Sequence, residues 1–230
     1  WVGPVRPVAV AAAVTAQPKP PGRPAPVPAR SNALGYTVGD KWNYQVIDRW
    51  KGEVLRNYAL QVHTMDEEGR WATAGGSQFD AAGRLRKAVQ AGEWVREFSP
   101  TTARWWPGIK VGDQQQHQYE VKHTPVNGGG WTNRVKTESN VVRRETVRVP
   151  AGEFDALRIE IKGKSEAVGR PGVGQFSQTV WYSPELHTMV AFEEETFWDG
   201  KLDARSRDEL TSLRLVHQRD LAAQGLAPAP

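Results

Sequence analysis

Cysteine is missing from this 230-residue chain. Its absence removes disulfides, thiolate catalysis and cysteine-ligated zinc. It does not assign a compartment, because extracytoplasmic domains also fold without disulfides. Long apolar runs are missing too, and no stretch approaches the ~20 residues of a membrane-spanning helix. The chain has no G-x-S-x-G elbow, no P-loop, no dinucleotide-binding glycine pattern and no H-E-x-x-H. Charge of one sign is not concentrated: 30 Lys and Arg stand against 26 Asp and Glu, spread along the chain with a net charge of +4. A nucleic-acid binder gathers such charge on one face, so this balance reads as solubility. From these absences we expect no catalytic residues, no cofactor, no metal, no nucleic-acid partner and no membrane-spanning segment.

What the chain does contain changes sharply near residue 34. Residues 1–34 hold the apolar run VAVAAAV from Val8 to Val14, then QPKPPGRPAPVPAR from Gln17 to Arg30. The first reads equally as the remnant of a secretory signal or as an Ala/Pro-rich linker. The second has too many prolines to pair into a sheet or to pack as a helix, and reads as a disordered, polyproline-like spacer.

From Lys41 onward the pattern has period two. Trp42, Tyr44 and Val46 share one strand face, and Tyr58, Leu60 and Val62 share another. Tyr119 and Val121 point one way from the strand around them. Leu157, Ile159 and Ile161 alternate with Arg158, Glu160 and Lys162, the clearest half-buried strand in the chain. Turn signals separate the runs: Lys51-Gly52-Glu53, Asn127 followed by three glycines, and Asp199-Gly200, a favoured two-residue hairpin turn. Alternation slips between Leu210 and Leu213, which predicts a bulge. The segment from Leu210 to Ala223 is ambiguous between strand and helix. The expected organisation is a signal remnant or linker (1–34), an all-β antiparallel domain (35–218) and a flexible tail (219–230). The domain is a curved sheet, either half-barrel or sandwich.

The phrase Val38-Gly39-Asp40 before the first strand returns as Val111-Gly112-Asp113 before the strand holding Tyr119. Glycine admits unusual φ and Asp bonds back to the backbone, so both read as turns opening two similar strand units. Four stretches taken together, VGDKWNYQV, WWPGIKVGD, VPAGEFDALRIEI and VWYSPELHTMVAFE, resemble proteobacterial envelope proteins of the group called domain of unknown function 3108. The resemblance spans residues 35–195. It implies a periplasmic curved-sheet domain similar to lipoprotein carriers, which hold acyl chains in a concave face. Gln114, Gln115 and Gln116 depart from the pattern, standing where an aromatic is expected after the second Val-Gly-Asp.

Candidate sites are few. His117 and His123 share a strand face but lie too far apart to chelate one ion by themselves. The run Glu193-Glu194-Glu195 reads as a solvated or edge-protecting feature. Adjacent Trp105 and Trp106 cannot both face one core in an extended chain, so one of them is expected to shield the groove or to meet a ligand. With Trp131 they form the candidate ligand-binding set. The expected function is a non-catalytic, extracytoplasmic envelope domain binding a lipid or other apolar or amphipathic ligand. The alternatives are a structural or interaction module contacting an envelope protein or peptidoglycan, and a carbohydrate-binding module.

Overall fold

The computed structural model describes residues 31–102, 108–169 and 171–216. Thirteen strands form one antiparallel sheet: β1 (Lys41–Asp48), β2 (Val54–Gln61), β3 (Thr64–Met65), β4 (Trp71–Ala72), β5 (Gln78–Phe79), β6 (Leu85–Gln90), β7 (Trp94–Ser99), β8 (Gln114–Pro125), β9 (Trp131–Val149), β10 (Gly152–Ala167), β11 (Val173–Ser183), β12 (Thr188–Trp198) and β13 (Lys201–Arg214). The order is β2-β1-β13-β12-β11-β10-β9-β8-β7-β6-β5-β4-β3. Almost every strand therefore pairs with its sequence neighbour, as short hairpin turns dictate. The one non-sequential pairing among the described strands is that of β13, which pairs with β12 and returns to pair with β1 as well. A single sheet decides between half-barrel and sandwich in favour of the former.

Local chemistry sets the turns and register. Asp199 and Gly200 both have positive φ, 46° and 77°, the conformation a two-residue hairpin turn requires. The slip in β13 is a bulge: Asn43 faces Ser212 while Tyr44 faces Leu210, leaving Thr211 unmatched. This resolves the ambiguity at Leu210 toward strand as far as Arg214. The extra residue lets Leu210 and Leu213 both pack inward, with Leu210 fully buried.

The two Val-Gly-Asp turns share four hydrogen bonds. Thr37 N–H donates to the Asp40 carboxylate and Asp40 N–H to the Thr37 carbonyl. Lys110 and Asp113 repeat both bonds. Each glycine N–H then reaches the strand that returns from its hairpin, Gly39 to the Val62 carbonyl and Gly112 to that of Val141. Val62 and Val141 donate back to Asp40 and Asp113. Each unit is a turn that anchors both strands of one hairpin.

The core gathers at one end of the sheet. Trp42, Tyr44, Val62, Trp71, Phe79, Leu157, Tyr182 and Met189 are buried together there. Aromatic rings join them: Trp71 stacks on Phe79 with centroids 3.8 Å apart, and Tyr36 meets Trp42 and Trp71 edge-on. Residues 31–34, which composition groups with the spacer, belong to the domain. Leu34 is buried, and the Asn32 side chain bonds to the carbonyls of Gly69 and Ala81. The spacer at residues 1–30 and the tail at 219–230 lie outside the described residues.

The sheet curls, but the ladder does not close. Its two ends, β2 and β3, are consecutive in the chain, joined by Val62 and His63. Val62 bonds to Asp40 on one side and His63 N–H to the Ala72 carbonyl on the other, which stitches the base. Toward the opposite end no ladder joins β2 to β6 among the described residues. Arg56 Nη1 donates to Gln90 Oε1 across that gap at 3.2 Å.

Candidate functional site

Curling leaves a cavity of about 520 Å³ between β2 and the strands from β6 to β13, within the range of small-molecule sites. In a meander alternate turns emerge at the same end. The core closes the end holding the start of β1. The tips of the β1–β2, β6–β7, β8–β9, β10–β11 and β12–β13 hairpins surround the other end, the mouth. One wall is apolar and continuous with the core: Ile159 and Met189 belong to the core, and Ile161, Phe192 and Leu85 pack against it. Phe176 completes this wall because Gly163 faces it directly across the ladder. A Cβ at Gly163 would lie 2.0 Å from the Phe176 ring, so the ring needs a glycine opposite it.

The polar groups of the wall fall into two classes. Several bond within the protein. Asp208 accepts from the Tyr58 hydroxyl at 2.8 Å, Glu194 accepts from Gln178 at 2.6 Å, and the His117 ring meets the Thr101 carbonyl at 2.9 Å. Ser139 donates to the Gln115 carbonyl. Two polar atoms nearer the mouth are buried without a hydrogen-bond partner among the described residues, Arg96 Nε and Asn133 Oδ1. Each lies two residues inside a mouth-facing strand end. The Arg96 guanidinium sits over the Trp94 ring, 4.0 Å from its centroid. Burial draws the Arg96 pKa below its ordinary value, Glu194 opposes that, and the like charge of Arg56 adds to it.

His123 stands opposite Arg96 in the ladder. Burial, reinforced by Arg96, pushes its pKa down to about 4, so the ring is neutral near pH 7. It stacks on Trp131, centroids 4.7 Å apart and ring planes nearly parallel. Trp131 therefore stands beside the mouth with part of its indole in solvent. Trp105 and Trp106 lie outside the described residues.

His117 and His123 both line the cavity. The three consecutive glutamates divide between faces, as a strand requires. Glu194 points into the cavity, while Glu193 pairs with Arg49 and Arg207 and Glu195 with Arg205 on the outer face. β12 is a central strand, so the run belongs to a charge ladder across the sheet and not to a protected edge. Sequence reading passed over Arg96 and Asn133 because nothing in their own strands marks them. The signal is their position relative to strands far away in the chain.

No family model matches the sequence, and no curated protein matches it. Among solved structures the chain is similar to a candidate exported protein with a YmcC-like fold from Bacteroides fragilis. That likeness has TM-score 0.50 and 13% identity, and covers 76% of this chain and 95% of that one. A candidate lipoprotein from Parabacteroides distasonis gives TM-score 0.47 at 15% identity, over 76% of this chain and 95% of that one. The hypothetical lipoprotein YmcC from Escherichia coli gives 0.47 at 13% identity, over 84% of this chain and 85% of that one. At such identities the likeness to the Bacteroides protein speaks for the fold: this chain has a YmcC-like sheet.

Proposed function

We propose that this is a non-catalytic, extracytoplasmic envelope domain whose cavity holds an amphipathic ligand. The apolar part lies along Ile159, Ile161, Phe176 and Phe192, and the polar head meets Arg96 and Asn133. One observation carries this reading: in a cavity where several polar groups bond within the protein, Arg96 Nε and Asn133 Oδ1 are buried and unpartnered among the described residues. Leaving such groups unmade costs about 1–3 kcal/mol each, more for a charged group. An acidic head group would recover the cost at Arg96, and a donor on the same head the cost at Asn133. Resemblance to envelope proteins of the domain of unknown function 3108 supports the location, as does the exported protein of similar fold.

Displacement of a fluorescent acyl-chain probe by palmitate and by its methyl ester tests the reading. Palmitate is expected to displace the probe at lower concentration than the ester. Arg96→Gln should erase that difference, and Gln115→Trp, which fills the cavity, should weaken both. Failure of palmitate and ester alike to displace the probe, or of the probe to bind, would sink the proposal.

A further inference from the structure

The exposed apolar side chains are unevenly placed. Trp50, Val54 and Leu55 stand at the β1–β2 tip, each more than half exposed. Val126 and Trp131 flank the β8–β9 tip, and Val168 and Val173 the β10–β11 tip. Trp198 and Leu202 flank the β12–β13 tip. All four tips surround the mouth. Among the described residues two other large hydrophobics are exposed, Val111 and Val142, and they sit beside the second Val-Gly-Asp turn at the opposite end. Solvation disfavours such a distribution, because single exposed hydrophobics on a soluble domain scatter over the surface.

We propose that the mouth rim is a docking surface for a lipid bilayer. Three features favour a bilayer over a protein. The apolar groups ride on four separate tips around an opening, so they offer no continuous patch for a rigid partner, whereas a fluid surface conforms to each tip. The tips are poor in net charge: the β8–β9 tip, from Pro125 to Trp131, has no charged residue, and Asp199 beside Lys201 leaves the β12–β13 tip neutral. The uncharged β8–β9 tip enters a head-group layer without the cost of burying ions, and the β1–β2 and β12–β13 tips carry charges of both signs that stay among the head groups. Three of the rim residues are tryptophans, whose indoles favour the boundary between hydrocarbon and water. The surface is adjacent to the cavity but does not depend on what the cavity holds.

The test is flotation of the purified domain with phosphatidylcholine vesicles, with and without phosphatidylglycerol. The wild type is expected to float with both, since the tips act through apolar contact. A rim variant, Leu55→Ser with Val126→Ser and Trp198→Ser, should lose vesicle binding by roughly tenfold or more. An opposite-end variant, Val111→Ser with Val142→Ser, should float like the wild type. Both variants should unfold cooperatively, the opposite-end variant with the wild-type midpoint and the rim variant slightly below it, because part of the Trp198 ring packs over Gly172 and Gly174. Acyl-probe binding measured without vesicles should survive in the rim variant, which separates this proposal from the cavity reading. The proposal is overturned if the wild type does not float, or if the two variants lose binding equally. It is also overturned if the rim substitutions abolish a dimer seen by sedimentation without vesicles, because the surface would then belong to a second copy.

Discussion

The β1–β2 and β8–β9 hairpins are held by the same four turn bonds, yet one is filled and the other hollow. Two and four residues after Asp40 come Trp42 and Tyr44, exposed by only 2% and 1%. Two and four residues after Asp113 come Gln115 and His117, which line the cavity. Backbone geometry is thus conserved between the units while side-chain volume is not. A Trp and a Tyr fill the space beside one hairpin, and a Gln and a His at the matching positions leave space beside the other. The cavity exists because the second unit lacks the aromatics that fill the first. Tyr44 also ties across the sheet, donating to the Met189 carbonyl at 2.9 Å.

The largest contrast should appear on truncation. Trp42→Ala is expected to lower unfolding stability in urea by about 3–5 kcal/mol through lost contacts and a cavity. Gln115→Ala should stay within about 0.5 kcal/mol, because it borders space already empty. Equal losses would break the comparison.

The turn carboxylates should differ less. Asp40 is buried and accepts from Thr37 N–H at 2.8 Å and from Val216 N–H at 2.7 Å. Asp113 is less buried and repeats only the first of these bonds, from Lys110 N–H at 3.0 Å. Asp40→Ala should cost about 2–3 kcal/mol and Asp113→Ala about 1 kcal/mol or less. Chevron or equilibrium unfolding of the pair would sharpen the assignment of Val216 as the extra anchor, and a reversed order would remove it.

The smallest effect concerns pH. His123, on the hollow hairpin, has a folded pKa of about 4, below the ordinary value of 6.5. Between those values the unfolded chain binds more protons than the folded one, so stability rises with pH across that window. On acidification the contribution is lost as pH falls below 6.5, and the loss levels off below about 4. Because the ring is partly exposed, solvent screening reduces the loss to on the order of 1 kcal/mol. His123→Gln should flatten the difference in stability between pH 7 and pH 4.5. An unchanged slope would show that carboxylates alone govern the acid limb.

What was legible in the sequence was whatever lies within one strand or one turn. Alternation at Leu157, Ile159 and Ile161 marked a half-buried strand, and all three face the core side. Asp199-Gly200 announced its turn, and the slip near Leu210 announced its bulge. The missing aromatic after the second Val-Gly-Asp was visible too, as a departure from a pattern. Its consequence was not, because a void is defined by strands that meet only after folding. β3, β4 and β5 are two residues each, too short to carry a period. Arg96, Asn133 and the rim are likewise products of topology: four tips widely separated in the chain come to one end because alternate turns of a meander must.

The gap between β2 and β6 gives this sheet a clasp. A closed barrel has a fixed girth, because widening it breaks a ladder of backbone bonds. Here the base is stitched by Val62 and His63, while a hydrogen bond between exposed side chains, Arg56 to Gln90, bridges the lip. Such a bond contributes about 1 kcal/mol or less. The waist can therefore widen at the lip while the seam at the base stays shut. The cavity can then change its girth without unfolding any strand.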